Sequence, residues 1–304
     1  MANQTAPKAA RPEPAATKPE NTKLGLYIGG LVLALIAGFG LGKLINPVSP
    51  TANAQTGAPA PTSMAGDGHN HAGAAATAGS DVGGLAISFG GYTLVPSPYS
   101  NGQLSFVVKG SDGKPLTSFA TVHEKPLHLI VLRRDLSGYQ HLHPTMSADG
   151  TWSVKADLAT PGMWRAFADF TAVTAAGAQT ALTLGYDIAV PGNYQPKTLG
   201  APAREFVVEG QAVTYEGTPT IGATSPLLFR VPGANLEPYL GSFGHLVVVR
   251  EGDLGYVHVH PEAQLVGGAV KFWLSAPSTG TYRMFFDHQI GGKVRTAEFT
   301  LKVG

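Results

Sequence analysis

The chain has no cysteine. No disulfide can brace it, no thiolate can hold a metal, and no lipidated cysteine can fix it to a membrane. Charge is scarce too: Asp, Glu, Lys and Arg make up 13% of the 304 residues, with a formal net charge of +1. Nucleic-acid binding needs a basic patch, and the sequence has none. It also lacks a phosphate loop, a dinucleotide fingerprint and a Ser-His-Asp spacing. Glycine (39) and proline (23) are abundant instead, which favours turns and short strands over long helices. The length suits about two domains.

The one long apolar run lies near the start. Residues 1–23 are rich in Ala, Pro and Lys, and read as a disordered cytoplasmic tail. Leu24 to Gly42 then runs 19 residues without a charge, enough to cross a bilayer, so 24–45 is expected to be a transmembrane helix. Basic residues precede it, and only Lys43 follows before Lys109. That asymmetry puts the N-terminus inside and the rest outside the cell membrane. The alternative is a cleaved signal peptide, with Ala52-Asn53-Ala54 as an A-x-A site. Residues 46–83 read as a flexible Pro/Ala/Gly linker carrying Met64, His69 and His71. These three suit either a metal-capturing tether or a plain spacer.

Beyond residue 84 the pattern becomes β-rich runs between Gly, Pro and Asp turns. Seven strands are expected in each of two modules, 84–195 and 200–304. The fold class is therefore all-β, with two tandem immunoglobulin-like β-sandwich modules after the helix and linker. The first strand of each module is expected to run unbroken, over 85–95 and 205–215.

The modules share a repeat. His128-Leu-Ile-Val-Leu-Arg-Arg-Asp-Leu-Ser-Gly-Tyr-Gln-His141-Leu-His143-Pro144 aligns with His245-Leu-Val-Val-Val-Arg-Glu-Gly-Asp-Leu-Gly-Tyr-Val-His258-Val-His260-Pro261, with nine of 17 positions identical. Strand alternation puts Tyr139, His141 and His143 on one face, and likewise Tyr256, His258 and His260. The opposite faces are apolar and suit the core, so each Tyr-His-His face is expected to be outward or cleft-facing. Proline after each pair holds the second histidine extended. A hairpin brings His128, or His245, near its H-x-H partner. Three imidazoles with open positions suit zinc or copper(II). Asp169 and Asp287, which recur in Gly162-x-Trp-Arg-x-Phe-x-Asp and Gly280-x-Tyr-Arg-x-Phe-x-Asp, are candidate fourth ligands, or orient an imidazole from behind. A structural corner, with imidazoles bonded to loop carbonyls, is the competing reading. Module 1 has six extra residues before its grid, which leaves His123 and Glu124 without an evident counterpart and outside the shared site.

The phrases "HLIVLRRDLSGYQHLHP", "GTWSVKADLATPGMWRAFADF", "PYLGSFGHLVVVREGDLGYVHVHP" and "GTYRMFFDHQIGGKVRTAEFT" resemble a family of actinobacterial exported or membrane-anchored proteins. Its members are usually described as secreted or heavy-metal-binding-domain proteins. Single modules look distantly like YtkA-like immunoglobulin-type domains. The resemblance covers about residues 85–304 and implies export. It suggests metal, with copper favoured by the resemblance and the Met/His tether, but no reaction.

Two functions follow as expectations. One is a membrane-anchored extracytoplasmic protein that buffers, scavenges or transfers a divalent ion, copper or zinc. Its partners are the metal, the membrane and another extracytoplasmic or membrane protein. The other is a structural or adhesion module without metal. An enzyme is not expected, because a metallohydrolase needs a carboxylate base beside its metal-bound water. Asp169 and Asp287 alone recur near the grid.

Overall fold

The computed structural model describes residues 82–257 and 259–304, with only the backbone of Val82 and His260. The expected tail (1–23), membrane span (24–45), nearly all of the linker (46–83) and the candidate ligand His258 lie outside the described residues, as does the His260 side chain. The described residues all lie within one compact unit.

Every element among the described residues is a strand. The first half holds β1 (Val82–Gly83), β2 (Ser88–Phe89), β3 (Tyr92–Pro96), β4 (Gln103–Lys109), β5 (Phe119–Ala120), β6 (Leu127–Arg133), β7 (Gln140–Leu142), β8 (Thr145–Met146), β9 (Thr151–Lys155), β10 (Gly162–Val173) and β11 (Gln179–Val190). The second half holds β12 (Glu205–Val208), β13 (Gln211–Glu216), β14 (Thr224–Arg230), β15 (His245–Arg250), β16 (Tyr256–Val257), β17 (Val259–Pro261), β18 (Val270–Ser275), β19 (Gly280–Ile290) and β20 (Lys293–Val303).

Each module is an immunoglobulin-like sandwich of two sheets. In module 1, β2-β3-β4-β9-β8 faces β11-β10-β6-β7, with β5 on β10. In module 2, β12-β13-β14-β18-β17 faces β16-β15-β19-β20. Alternation builds each core. Leu104, Phe106 and Val108 of β4 meet Leu127, Leu129 and Val131 of β6 in one. Leu227 and Phe229 of β14 meet Leu246 and Val248 of β15 in the other. Burying one such side chain contributes roughly 1.5–3 kcal/mol.

The first strand of each module is broken, contrary to expectation. Gly90 and Gly91 both have positive φ (61° and 84°) and turn the chain between β2 and β3. Glu209 and Gly210 (50° and 79°) do the same between β12 and β13. Two-residue hairpin turns with both central φ positive match the twist of the flanking strands.

The other faces of β6 and β15 are not exposed. Every residue of β6 is buried, because the strand has packing on both sides. Ile130, Leu132, Leu136 and Phe167 of module 1 pack with Val247, Val249, Leu254, Tyr256 and Phe285 of module 2. This third core joins the modules, so the Tyr-His-His face of module 1 lies at a junction rather than on an open surface.

A short strap crosses that junction. β1 precedes module 1 but pairs with β16 of module 2, Val82 with Val257 and Gly83 with Tyr256. The next residues bond module 1: Gly84 N donates to Thr183 O (2.9 Å) and Gly185 N donates to Ala86 O (2.9 Å). Glycine is required here. A Cβ on Gly185 would stand 2.1 Å from Gly84 O. One on Gly84, whose φ is +71°, would stand 2.3 Å from the Phe167 ring.

Candidate metal centre

The β6–β7 hairpin positions the first three histidines. Its register pairs Leu129 with Leu142 and Ile130 with His141, so His128 comes opposite His143 one step further on. His128, His141 and His143 share the face turned away from their own core. Their ring centroids lie 5.3 Å (128–141), 5.1 Å (128–143) and 4.8 Å (141–143) apart. One ligand nitrogen from each can be chosen so that all three lie within 4.8 Å of one another.

Hydrogen bonds fix which nitrogens are free. The outer nitrogen of His128, Nε2, lies 3.0 Å from Val122 O and donates to it. The outer nitrogen of His141, Nδ1, lies 2.9 Å from the Asp287 carboxylate. The inner nitrogens, His128 Nδ1 and His141 Nε2, then face each other at 3.0 Å. With both outer nitrogens donating, only one proton or one cation can stand between the inner pair. Imidazole nitrogens bind zinc at about 2.0–2.1 Å, so two nitrogens at that separation reach a single ion. His143 Nε2 is buried without a hydrogen-bond partner, a third lone pair or donor with nothing to bind.

Module 2 closes the site. Asp287, opposite His245 on β19, is buried and accepts three hydrogen bonds. They come from His141 Nδ1 (2.9 Å), Tyr139 Oη (2.9 Å) and Thr296 Oγ1 (2.6 Å). Tyr139 also stacks on Phe285, centroids 4.1 Å apart. His245 donates from Nε2 to Tyr239 O at 2.8 Å and places its ring 5.9 Å from His141 and 6.5 Å from His128.

The candidate residues thus divide. His128, His141 and His143 are brought together. His245 borders them from the other module. Asp287 lies behind His141 and accepts its Nδ1–H. Asp169 lies opposite His128 in the β6–β10 pairing, accepts from Thr183 Oγ1 (3.0 Å) and stands beside Tyr256. The recurring arginines pair locally: Arg133 with Asp135 (3.3 Å), Arg165 with Asp187 (2.8 Å), Arg250 with Asp253 and Arg283 with Glu298.

His123 is a correction. Excluded by the repeat alignment, it sits 5.2 Å from His245 and 6.2 Å from His128, ring to ring. Val122 and Lys125 close a two-residue turn with His123 (φ 49°) and Glu124 (φ 60°) at its centre. Tyr239 and Ser242 close the same turn around Leu240 (φ 52°) and Gly241 (φ 78°). Each turn's first carbonyl takes the Nε2 of a histidine six residues on. Leu240 and Gly241 are therefore the counterparts of His123 and Glu124, and the extra residues of module 1 fall earlier, around β5. Positive φ on a non-glycine residue costs about 1–3 kcal/mol and persists where the surroundings impose it.

Burial sets the electrostatics. It pushes the His128 imidazole down to about 4, with His141 adding to the effect, and His245 to about 4 against its bond to Tyr239 O. His143 falls to about 3 through burial, then His141 and His128. These rings favour the neutral form, which is the ligating one. Burial beside Asp287 raises the Tyr139 hydroxyl, and burial beside Asp169 raises that of Tyr256.

A family described as a domain of unknown function (DUF8832) matches twice, over residues 80–186 and 206–304. The chain belongs to this family. The two matched copies are the two sandwiches. No curated protein matches the chain. Among solved structures, a mutant of Salmonella alpha-2-macroglobulin aligns at 15% identity with a TM-score of 0.24. That alignment covers 74% of this chain and 15% of that one, so the chain spans a small part of that protein's length. An anomalous substructure of titin aligns at 11% identity and a TM-score of 0.15, covering 73% and 95%.

Proposed function

We propose that this protein binds one divalent transition-metal ion, copper or zinc, at His128, His141 and His143, and buffers, scavenges or hands on that ion outside the cell membrane. The observation that carries the reading is the inner pair of nitrogens, 3.0 Å apart with their outer partners already engaged. The unpartnered His143 Nε2 supports it. Three imidazoles leave a position open, which suits uptake and transfer. Asp287 already accepts three hydrogen bonds, which argues against its acting as a general base and so for binding rather than catalysis. Anchoring and export rest on the charge-free run at 24–42 and the basic residues before it.

Equilibrium dialysis of the full chain against copper(II) or zinc, followed by elemental analysis, tests the reading. At least one tightly held ion per chain is expected. Absence of bound copper, zinc or nickel at micromolar concentration would sink it.

The second reading is a purely structural module. It is favoured by the bonds from His128 and His245 to the carbonyls of Val122 and Tyr239, which serve as corner braces without any ion. The same dialysis separates the two.

A further inference from the structure

We infer that Asp287 of module 2 is the positioning residue for the ion site of module 1, so that ion affinity depends on the docking of the two modules. This rests on the metal-binding reading and adds a regulation to it. The three ligands named above all come from the β6–β7 hairpin of module 1. The group that fixes the tautomer and tilt of His141 comes from residue 287. With Nδ1–H held by a carboxylate, His141 keeps its Nε2 lone pair toward His128 Nδ1. A carboxylate behind a ligating imidazole holds the ring and raises its basicity.

Asp287 is itself held firmly. Thr296 Oγ1, on the neighbouring β20, bonds its other oxygen (2.6 Å). Tyr139 of module 1 bonds the same oxygen as His141 and stacks on Phe285 of module 2. The carboxylate is 2% exposed as a residue, so water does not replace its partners. Two modules that separated would take the carboxylate from His141 and leave the imidazole to rotate. Linkage makes the effect reciprocal: an ion that binds better to docked modules strengthens the docking by the same factor.

The test compares the full-length protein with Asp287→Asn, Phe167→Leu and Phe106→Leu, using zinc and cobalt(II) in competition with a chromophoric chelator. Phe167 lies in the junction, 5.6 Å from the Tyr256 ring. Phe106 is buried in the core of module 1, outside the junction cluster. Asp287→Asn is expected to weaken zinc binding by about 10–100-fold. Phe167→Leu is expected to weaken it by a smaller factor, because it loosens the docking and keeps the carboxylate. Phe106→Leu is expected to stay within about twofold. Unchanged affinity in Asp287→Asn or in Phe167→Leu, or a loss in Phe106→Leu equal to that in Asp287→Asn, overturns the inference.

Imidazole ¹⁵N NMR of the zinc-loaded wild type gives a second measurement that needs no variant to fold. It should show His141 ligated through Nε2 with Nδ1 protonated. Ligation through Nδ1 overturns the inference while leaving metal binding intact. If wild type binds no ion at all, the metal reading fails instead.

Discussion

The two ends of the module junction carry the same parts in different service. At one end Tyr139 of module 1 stacks on Phe285 and bonds Asp287, and Asp287 bonds His141. At the other end Tyr256 of module 2 meets Phe167, with centroids 5.6 Å apart, and stands beside Asp169, whose charge adds to burial in raising its hydroxyl. Thr183 bonds Asp169, and the Gly83–Gly84 strap runs alongside. Each module thus lends an Asp and a Phe to the other's Tyr. Duplication kept this reciprocal frame. The turns diverged: His123-Glu124 in one module stands where Leu240-Gly241 stands in the other. The frame is the part required for docking, and the turn is where chemistry was free to change.

The largest expected effect tests whether the His141 end alone makes the ion site. A His141→Ala plus His143→Ala variant should lose tight zinc and copper binding in equilibrium dialysis. Retained binding would shift the site to the other end and break the comparison. Next come the two phenylalanines. Phe285→Ala and Phe167→Ala each remove a fully buried ring and should cost about 3–5 kcal/mol in chemical denaturation. Costs differing by more than about 2 kcal/mol would show that the frame is not shared equally.

Acid should act through the neutral histidines. His128 and His245 stand at about 4 and His143 at about 3, below the ordinary 6.5. Between 6.5 and those values the unfolded chain binds more protons than the folded one. Stability is therefore full above about pH 6.5 and falls as the pH drops toward about 4. Urea midpoints that stay constant over that window would refute the assignment of these rings as buried and neutral.

Smaller effects sharpen the role of the strap and the turn. Gly185→Ala forces a methyl toward Gly84 O and should cost about 1–3 kcal/mol, with faster hydrogen exchange at Gly84. His123→Leu copies the module 2 turn and should change zinc affinity less than Asp287→Asn does, read in the same chelator competition. A larger loss would make His123 a ligand in its own right.

Much of this was legible in the sequence. The spacing of His128, His141 and His143 gave the hairpin, and the register brings the three rings together as alternation requires. The broken first strands carried their own marks in Gly90-Gly91 and Glu209-Gly210, which an apolar count passes over. The junction had a mark too. His128-Leu-Ile-Val-Leu does not alternate, and a strand with continuous apolar residues is buried on both faces. What covers the second face could not be read, because that depends on how two whole sandwiches meet. For the same reason Asp287 aligned with His245 of its own module, while its hydrogen bond goes to His141 of the other. The counterpart of His123 shows only in the matched turns, because His123-Glu124 and Leu240-Gly241 share no residue type.

The strap has a consequence for the order of assembly during synthesis. Val82 leaves the ribosome long before its strand partner Val257, and His141 long before Asp287. The N-terminal sandwich can close its own core early, but its leading strand must wait for the second sandwich to emerge. A nascent chain that stops short of residue 287 carries all three histidines and none of the carboxylate that aims them. The histidine cluster therefore gains its carboxylate only once the second sandwich has emerged, by the same event that seats the strap.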